Sequence, residues 1–153
     1  MEEDRPYTLQ AAINLLETVP KFVLVIFYDD DRIFMSQRIH PDKPMFLKYQ
    51  VACGKTERNE TGLQAAQREL REETNLNLHP SCFKYLINDP SFNCDIYYVK
   101  RRLNEIPERT ESQNMGSWLY YPWYTWYMMA SRGQTTPTLT TFRDVIDNTV
   151  RMA

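Results

Sequence analysis

The sequence lacks the features typical of membrane, secreted and broadly nucleic-acid-binding proteins. Its longest apolar run, residues 22–28, is far too short to span a bilayer, and no charged-then-apolar leader is visible at its start. Its three cysteines are odd in number and lack metal-ligand spacing, which favours free thiols in a reducing compartment. A net charge of -2 argues against nucleic-acid binding by broad electrostatics. We therefore expect a cytoplasmic protein with no membrane partner.

The length and the hydrophobic pattern predict one α/β domain over residues 1–153. Residues 21–28 and 32–39 predict a hairpin around three turn aspartates, and further strands are predicted at 46–52, 82–87, 94–101 and 117–121. Gly54 is predicted to begin a loop that runs to the helix cap at Thr61. Helices are predicted at 8–18, at 61–74, from Pro122 to a stop at Gly133, and at 142–150, where Thr141 and Asp144 form a capping pattern. We expect a mixed sheet between helices, with helix 61–74 on one face and the carboxy-terminal helices on the other.

The strongest helix prediction covers residues 61–74, where Ala, Leu, Gln, Arg and Glu predominate. Thr61 and Gln64 have the spacing of a capping box, and Asn75 suits a left-handed residue at the helix end. An apolar stripe would face the core, and beside it lie three carboxylates, Glu69, Glu72 and Glu73. Their i, i+3 and i+4 spacing lets their oxygens converge on one point.

Three clustered like charges repel each other, and Arg68 alone cannot neutralise them. Hard carboxylate oxygens of this kind suit Mg²⁺ or Mn²⁺. The alternative is a solvated glutamate-rich helix face, which composition alone would favour. The sequence on either side of the helix favours the metal site.

Eight positions around this helix follow the spacing G-x5-E-x7-R-E-U-x-E-E-x-x-U, where U is aliphatic: Gly54, Glu60, Arg68, Glu69, Leu70, Glu72, Glu73 and Leu76. The segment 54–76 resembles the Nudix box. Two positions differ from the family pattern, because Asn75 replaces a glycine and Ala52-Cys53 replaces a Pro-Gly pair. Neither difference removes a charged group.

The resemblance implies a Nudix-type α/β/α sandwich and roles for individual residues. Glu69, Glu72 and Glu73 would bind Mg²⁺ or Mn²⁺ together with the Gly54 carbonyl, and Glu60 would be a supporting ligand or an outer partner. Arg68 would orient Glu69. The general base would be Glu69 or a residue of the acidic segment before the last strand, with Glu111 ahead of Glu108 by position.

The implied substrate is a nucleoside diphosphate linked to a further group, X. Arg38 and Lys55 are candidate phosphate contacts, and Trp118 and Tyr120 are candidate stacking partners for a base, with surface cations and core packing as the alternatives. By elimination, the first choice is a nucleoside triphosphate pyrophosphohydrolase. ADP-ribose, dinucleoside polyphosphates and capped RNA remain alternatives, as does a catalytically silent nucleotide-binding or regulatory module. Both a monomer and a homodimer remain open.

Overall fold

The computed structural model describes residues 19–101 and 114–153. The predicted helix 8–18 lies outside the described residues, and so does the acidic segment that contains Glu108 and Glu111.

A mixed sheet is built around one central strand, β1 (Phe22–Tyr28). Strand β1 pairs in parallel with β6 (Cys94–Lys100) along one edge, and antiparallel with β4 (Ala52–Lys55) and β2 (Arg32–Gln37) along the other. Strand β5 (Lys84–Asp89) is antiparallel to β6, while β3 (Tyr49–Gln50) and β7 (Leu119–Pro122) are antiparallel to β2. The predicted hairpin of β1 and β2 is confirmed.

The turn between β1 and β2 is organised by Asp29. Its Oδ1 accepts hydrogen bonds from the backbone amides of Asp31 and Arg32, at 3.0 and 2.9 Å. This is the local bonding that makes aspartate a frequent turn residue, so these aspartates form a turn as predicted.

The helices described are α1 (Gly62–Thr74), α2 (Trp123–Ser131), α3 (Pro137–Thr141) and α4 (Arg143–Val145), which continues as a π-helical turn, Ile146–Val150. A 3₁₀ turn at Pro80–Cys82 replaces the predicted start of β5. The predicted Thr141 cap is wrong, because α4 follows Phe142 and has no side-chain cap. No helix in the described ranges has the length and apolarity needed to cross a membrane.

Both ends of α1 have the predicted geometry. The Thr61 hydroxyl accepts from the Gln64 amide at 3.2 Å, and the Gln64 side chain accepts from the Thr61 amide at 2.9 Å. Asn75 adopts a left-handed conformation with φ 61°, and its amide donates to the Arg71 carbonyl at 2.8 Å. The caps fix where the helix begins and ends, and so fix the position of its carboxylates.

Alternate residues of β1 face two hydrophobic clusters. Val23, Val25 and Phe27 pack on the side of α1, together with Ala66 and Leu70. Leu24, Ile26 and Tyr28 pack on the other side, against α2, α3 and the carboxy-terminal helical turns. The structure is therefore the predicted α/β/α sandwich, with β1 in the middle of the core.

The variant Thr61→Ala tests the capping box of α1. Loss of the hydroxyl leaves the Gln64 amide without its acceptor, so we expect the free energy of unfolding to fall by about 1 kcal/mol. Thr61→Ser keeps the hydroxyl and serves as the control. Urea unfolding of both variants measures the difference, and equal stabilities would contradict this role of Thr61.

Candidate active site

Helix α1 places its three predicted metal-binding carboxylates at different depths. Glu73 and Glu69 are almost completely buried, with 2% and 8% exposure, because they lie next to Leu70 and the other apolar residues of α1 that pack on β1. The side chain of Glu72 is 44% exposed. Glu73 Oε2 accepts a hydrogen bond from the Cys53 amide at 3.0 Å, which ties α1 to β4.

Arg68 lies among the carboxylates and makes several bonds. Its Nε and Nη2 donate to both oxygens of Glu60 at 2.7 and 3.0 Å, in a bidentate pair. Its Nη1 donates to Glu69 Oε1 at 2.8 Å and to Glu72 Oε2 at 3.0 Å. Its Nη2 also donates to the Lys55 carbonyl at 2.8 Å. Arg68 therefore holds Glu69 and also connects α1 to the loop that precedes it.

Glu60 is bound to Arg68, not to the buried carboxylate pair. The bond from Arg68 lowers the pKa of Glu60, and the Glu57 amide donates a further bond to Glu60 Oε1 at 2.9 Å. Of the two roles predicted for Glu60, this position favours that of an outer partner. The bonds to Glu60 and Glu69 also raise the pKa of Arg68, which stays charged.

Gly54 makes room for the Glu69 carboxylate. The residue lies within β4, where it pairs with Val23, so the prediction that it begins a loop is wrong. A Cβ at this position would lie 2.2 Å from both the Cδ and the Oε1 of Glu69. Glycine is required here because the helix carboxylate packs directly on the strand backbone.

The donor set fits a divalent cation. Burial raises the pKa of Glu69, although its bond from Arg68 opposes that effect. Charged carboxylates clustered on one helix flank repel each other, and a cation placed among them would relieve that repulsion. Glu69, Glu72 and Glu73 offer the hard oxygen ligands that Mg²⁺ and Mn²⁺ prefer.

No three His, Cys, Asp or Glu side chains in residues 19–101 and 114–153 already have a metal-binding arrangement. Two of the expected ligands, Glu69 and Glu72, are instead bridged by Arg68. Metal binding by these residues and by the Gly54 carbonyl therefore stays a prediction. The role of Glu111 also stays a prediction, because this residue is outside the described part of the chain.

Two cavities adjoin the carboxylates and share Arg38 and Cys53. The larger, of about 410 Å³, is mostly apolar and includes Gly54 and Lys55 in its lining. The smaller, of about 190 Å³, is polar and is lined by Lys43, Gln50 and Glu73 among others. The structure thus brings Arg38, Lys55 and Glu73 to the walls of adjacent cavities.

The guanidinium of Arg38 is held in place by two hydrogen bonds. Its Nε donates to the Pro44 carbonyl and its Nη1 to Gln50 Oε1, both at 2.9 Å. Sequence reasoning missed Lys43, which lies in the following loop, because a lone loop lysine resembles any surface cation.

Trp118 and Tyr120 are not among the residues that line either cavity. Trp118 is buried on the α1 side of the sheet, where its Nε1 donates to the Glu73 carbonyl at 3.1 Å. The Tyr120 ring packs on Phe34, with centroids 4.1 Å apart, and the Arg32 guanidinium lies 4.0 Å from its centroid. Both positions correspond to the core-packing alternative, and Trp118 additionally supports the end of the carboxylate helix.

The aromatic residues of the apolar cavity are Phe22 and Phe92. Sequence reasoning missed Phe92 because it lies in the β5–β6 turn, where neither periodicity nor a motif distinguishes it. Cys53 and Cys94 also line this cavity, and burial raises the pKa of Cys53 well above its usual range and that of Cys94 to about 12. Both side chains therefore remain neutral thiols near pH 7.

The packing of Glu69 on Gly54 can be tested with a double-mutant cycle. Gly54→Ala displaces the Glu69 carboxylate from Arg68, so we expect a loss of about 1–2 kcal/mol in the free energy of unfolding. In a Glu69→Ala background the added methyl group meets no carboxylate, and its cost falls by at least about 0.5 kcal/mol. Urea unfolding of the four proteins measures the coupling. Equal costs in both backgrounds would contradict the contact.

Comparison with solved structures gives the same fold at low sequence identity. A protein from Deinococcus radiodurans is 15% identical with a TM-score of 0.61, covering 77% of this chain and 76% of that one. A MutT NUDIX hydrolase from Burkholderia pseudomallei is 18% identical with a TM-score of 0.57, covering 69% and 84%. An Ap4A hydrolase from C. elegans is 16% identical with a TM-score of 0.57, covering 88% and 100%. No curated protein matches the sequence.

The model of the NUDIX domain family matches residues 18–126, which is more than half of the chain. This range includes strands β1 to β7, helix α1 and the first residues of α2. It also includes the segment 54–76. Members of the family are hydrolases that act on pyrophosphate bonds in general, and they generally use divalent metal ions. The chain belongs to the Nudix family.

Proposed function

We propose that this chain hydrolyses a diphosphate linkage in a nucleoside diphosphate linked to X, with a nucleoside triphosphate as the first candidate. The products would then be a nucleoside monophosphate and pyrophosphate. The observation that carries this proposal is the position of Glu73, which belongs to the carboxylate group of α1 and also lines the polar cavity beside Arg38 and Lys43. Negative and positive groups thus face the same small space.

Glu69, Glu72 and Glu73 would hold the divalent cations, with the Gly54 carbonyl. Bound there, Mg²⁺ or Mn²⁺ would neutralise phosphate oxygens and lower the pKa of the attacking water. Arg68 keeps Glu69 in position through its bond to Oε1. Its bonds to Glu60 and to the Lys55 carbonyl fix the guanidinium itself, so Arg68 does not move when the Glu69 side chain moves.

In the proposed reaction, water adds to a phosphorus atom while the bond from that phosphorus to the bridging oxygen breaks. A proton of the water passes to a carboxylate. The candidates are Glu69, which lies in the described part of the chain, and Glu111, which lies outside it. Arg38 and Lys43 contact the phosphate oxygens in the polar cavity, and Lys55 contacts them from the other cavity. Because two hydrogen bonds already fix Arg38, little side-chain entropy is lost when a phosphate binds.

The test is phosphate and pyrophosphate release from a panel of substrates with Mg²⁺ or Mn²⁺. The panel contains common and oxidised nucleoside triphosphates, ADP-ribose, dinucleoside polyphosphates and capped RNA. Dinucleoside polyphosphates are included because of the structural likeness to an Ap4A hydrolase. We expect hydrolysis of one class, reduced at least about 100-fold in Glu72→Gln and Glu73→Gln because each loses a metal ligand.

Glu57→Gln is the matched control, because it removes the same charge from a side chain that is 65% exposed. The nearest approach of Glu57 to Arg68 is 3.5 Å, which is longer than the bonds of Arg68 to the other carboxylates. An exposed carboxylate at this distance adds little to the shorter bonds that hold Arg68, so the activity of this variant should remain within about threefold of the wild type. Hydrolysis that persists in both ligand variants would contradict the assigned site. Nucleotide binding without hydrolysis of any panel member would instead favour the silent binding module.

A further inference from the structure

The apolar cavity beside Gly54 has a lining whose chemistry limits what it can hold. Its walls include the apolar residues Phe22, Leu24, Met45, Phe92 and Pro137, and two cations, Arg38 and Lys55, also line it. Its volume of about 410 Å³ falls within the range of small-ligand pockets, roughly 300–1,000 Å³. An occupant with an apolar body and a negatively charged end would match this lining.

The cavity offers few groups that can read the hydrogen-bonding edge of a base. Among its described lining residues there is no Asn, Gln, Asp or Glu, and the uncharged hydroxyls are those of Thr136 and Thr138. The Thr138 hydroxyl donates to the buried Asp89 carboxylate at 2.8 Å. The β1 backbone at the cavity is paired with β4 on one side and β6 on the other.

Two of the lining side chains are available to cover a flat ligand. Phe92 is 42% exposed in the β5–β6 turn, and Met45 is 39% exposed in the loop between β2 and β3. Met45 has φ 61° and Leu47 has φ 66°, a left-handed conformation that large side chains adopt at a cost. The same loop is fastened to Arg38 by the bond from its Nε to the Pro44 carbonyl.

We propose that this cavity holds the nucleobase of the substrate, that Phe92 and Met45 bind it by stacking and apolar contact, and that the site does not distinguish the four bases by their edges. This inference rests on the proposed function for the diphosphate but concerns a different part of the substrate. Stacking on an aromatic ring tolerates every base, since all of them have a π-face. Because the described lining offers few directed polar partners, a different base leaves few polar groups unpaired and is not rejected on that ground.

The experiment measures binding and turnover separately in Phe92 variants. Binding of AMP, GMP, CMP and UMP is followed by calorimetry, and the hydrolysis of the matching triphosphates gives KM and kcat. We expect Phe92→Ala to weaken binding of all four monophosphates about tenfold and to raise KM with little change in kcat. Phe92→Trp should retain binding, and Phe92→Leu should lie between the two.

Two controls separate stacking from general damage. Tyr124→Ala removes an aromatic ring that is 76% exposed and outside the cavity lining, and it should leave binding unchanged. Inorganic tripolyphosphate has no base, so its binding should be the same in the wild type and in Phe92→Ala.

Unchanged monophosphate binding in Phe92→Ala would overturn the inference. Affinities that differ more than about a hundredfold among the four bases would also overturn it, because such discrimination requires contacts to the base edges. The two proposals fail differently. Loss of binding in Phe92→Ala without any hydrolysis would retain the base site and reject the proposed reaction. Hydrolysis that depends on Glu73 but not on Phe92 would retain the proposed reaction and reject the base site.

Discussion

The bonds of Arg68 to Glu60, Glu69 and Glu72 determine how the candidate site is arranged. Carboxylates on one helix flank repel each other, and Glu69 is almost completely buried, so an isolated charge there would be costly. One guanidinium reduces that cost, yet it leaves an excess of negative charge among the carboxylates it contacts. It also bonds the Lys55 carbonyl, which joins the end of β4 to α1. The same interaction therefore supports the fold and leaves the excess negative charge that the proposed dication would neutralise.

Strand β1 explains why this charged group lies beside an apolar cavity. One face of β1 packs on α1, which carries the carboxylates, and the other face contributes Phe22 and Leu24 to the larger cavity. Strand β4 lies alongside β1, so Cys53 and Gly54 can contact both regions. The proposed division of the substrate, with phosphates near the carboxylates and the base in the apolar cavity, follows from these two faces.

Much of this arrangement could be predicted from the sequence because it depends on local chemistry. The capping box of Thr61 and Gln64, the left-handed Asn75 and the Asp29 turn are formed by residues within four positions of each other. The burial of Glu69 and Glu73 on the same flank of α1 follows from helical spacing. The sandwich itself follows from a continuous apolar strand, which needs cover on both faces.

The parts that the sequence did not predict depend on contacts between distant segments. Gly54 is needed because the Glu69 carboxylate approaches it from the helix that packs on the sheet, and nothing near Gly54 in the chain indicates that approach. Its sequence position makes Trp118 a base-stacking candidate, whereas its indole nitrogen donates to the carbonyl of Glu73, 45 residues earlier. Phe92 and Lys43 lie in loops, where a side chain's function depends on the surface it meets.

The most direct test of the account is the binding of Mn²⁺ followed by electron paramagnetic resonance, in the wild type and in Glu69→Gln and Glu57→Gln. If the buried carboxylates form the cation site, the wild type binds Mn²⁺, Glu69→Gln weakens that binding at least about tenfold, and Glu57→Gln leaves it nearly unchanged. Binding that is the same in all three proteins, or absent at millimolar Mn²⁺, would contradict the claim that Arg68 and α1 prepare a metal site.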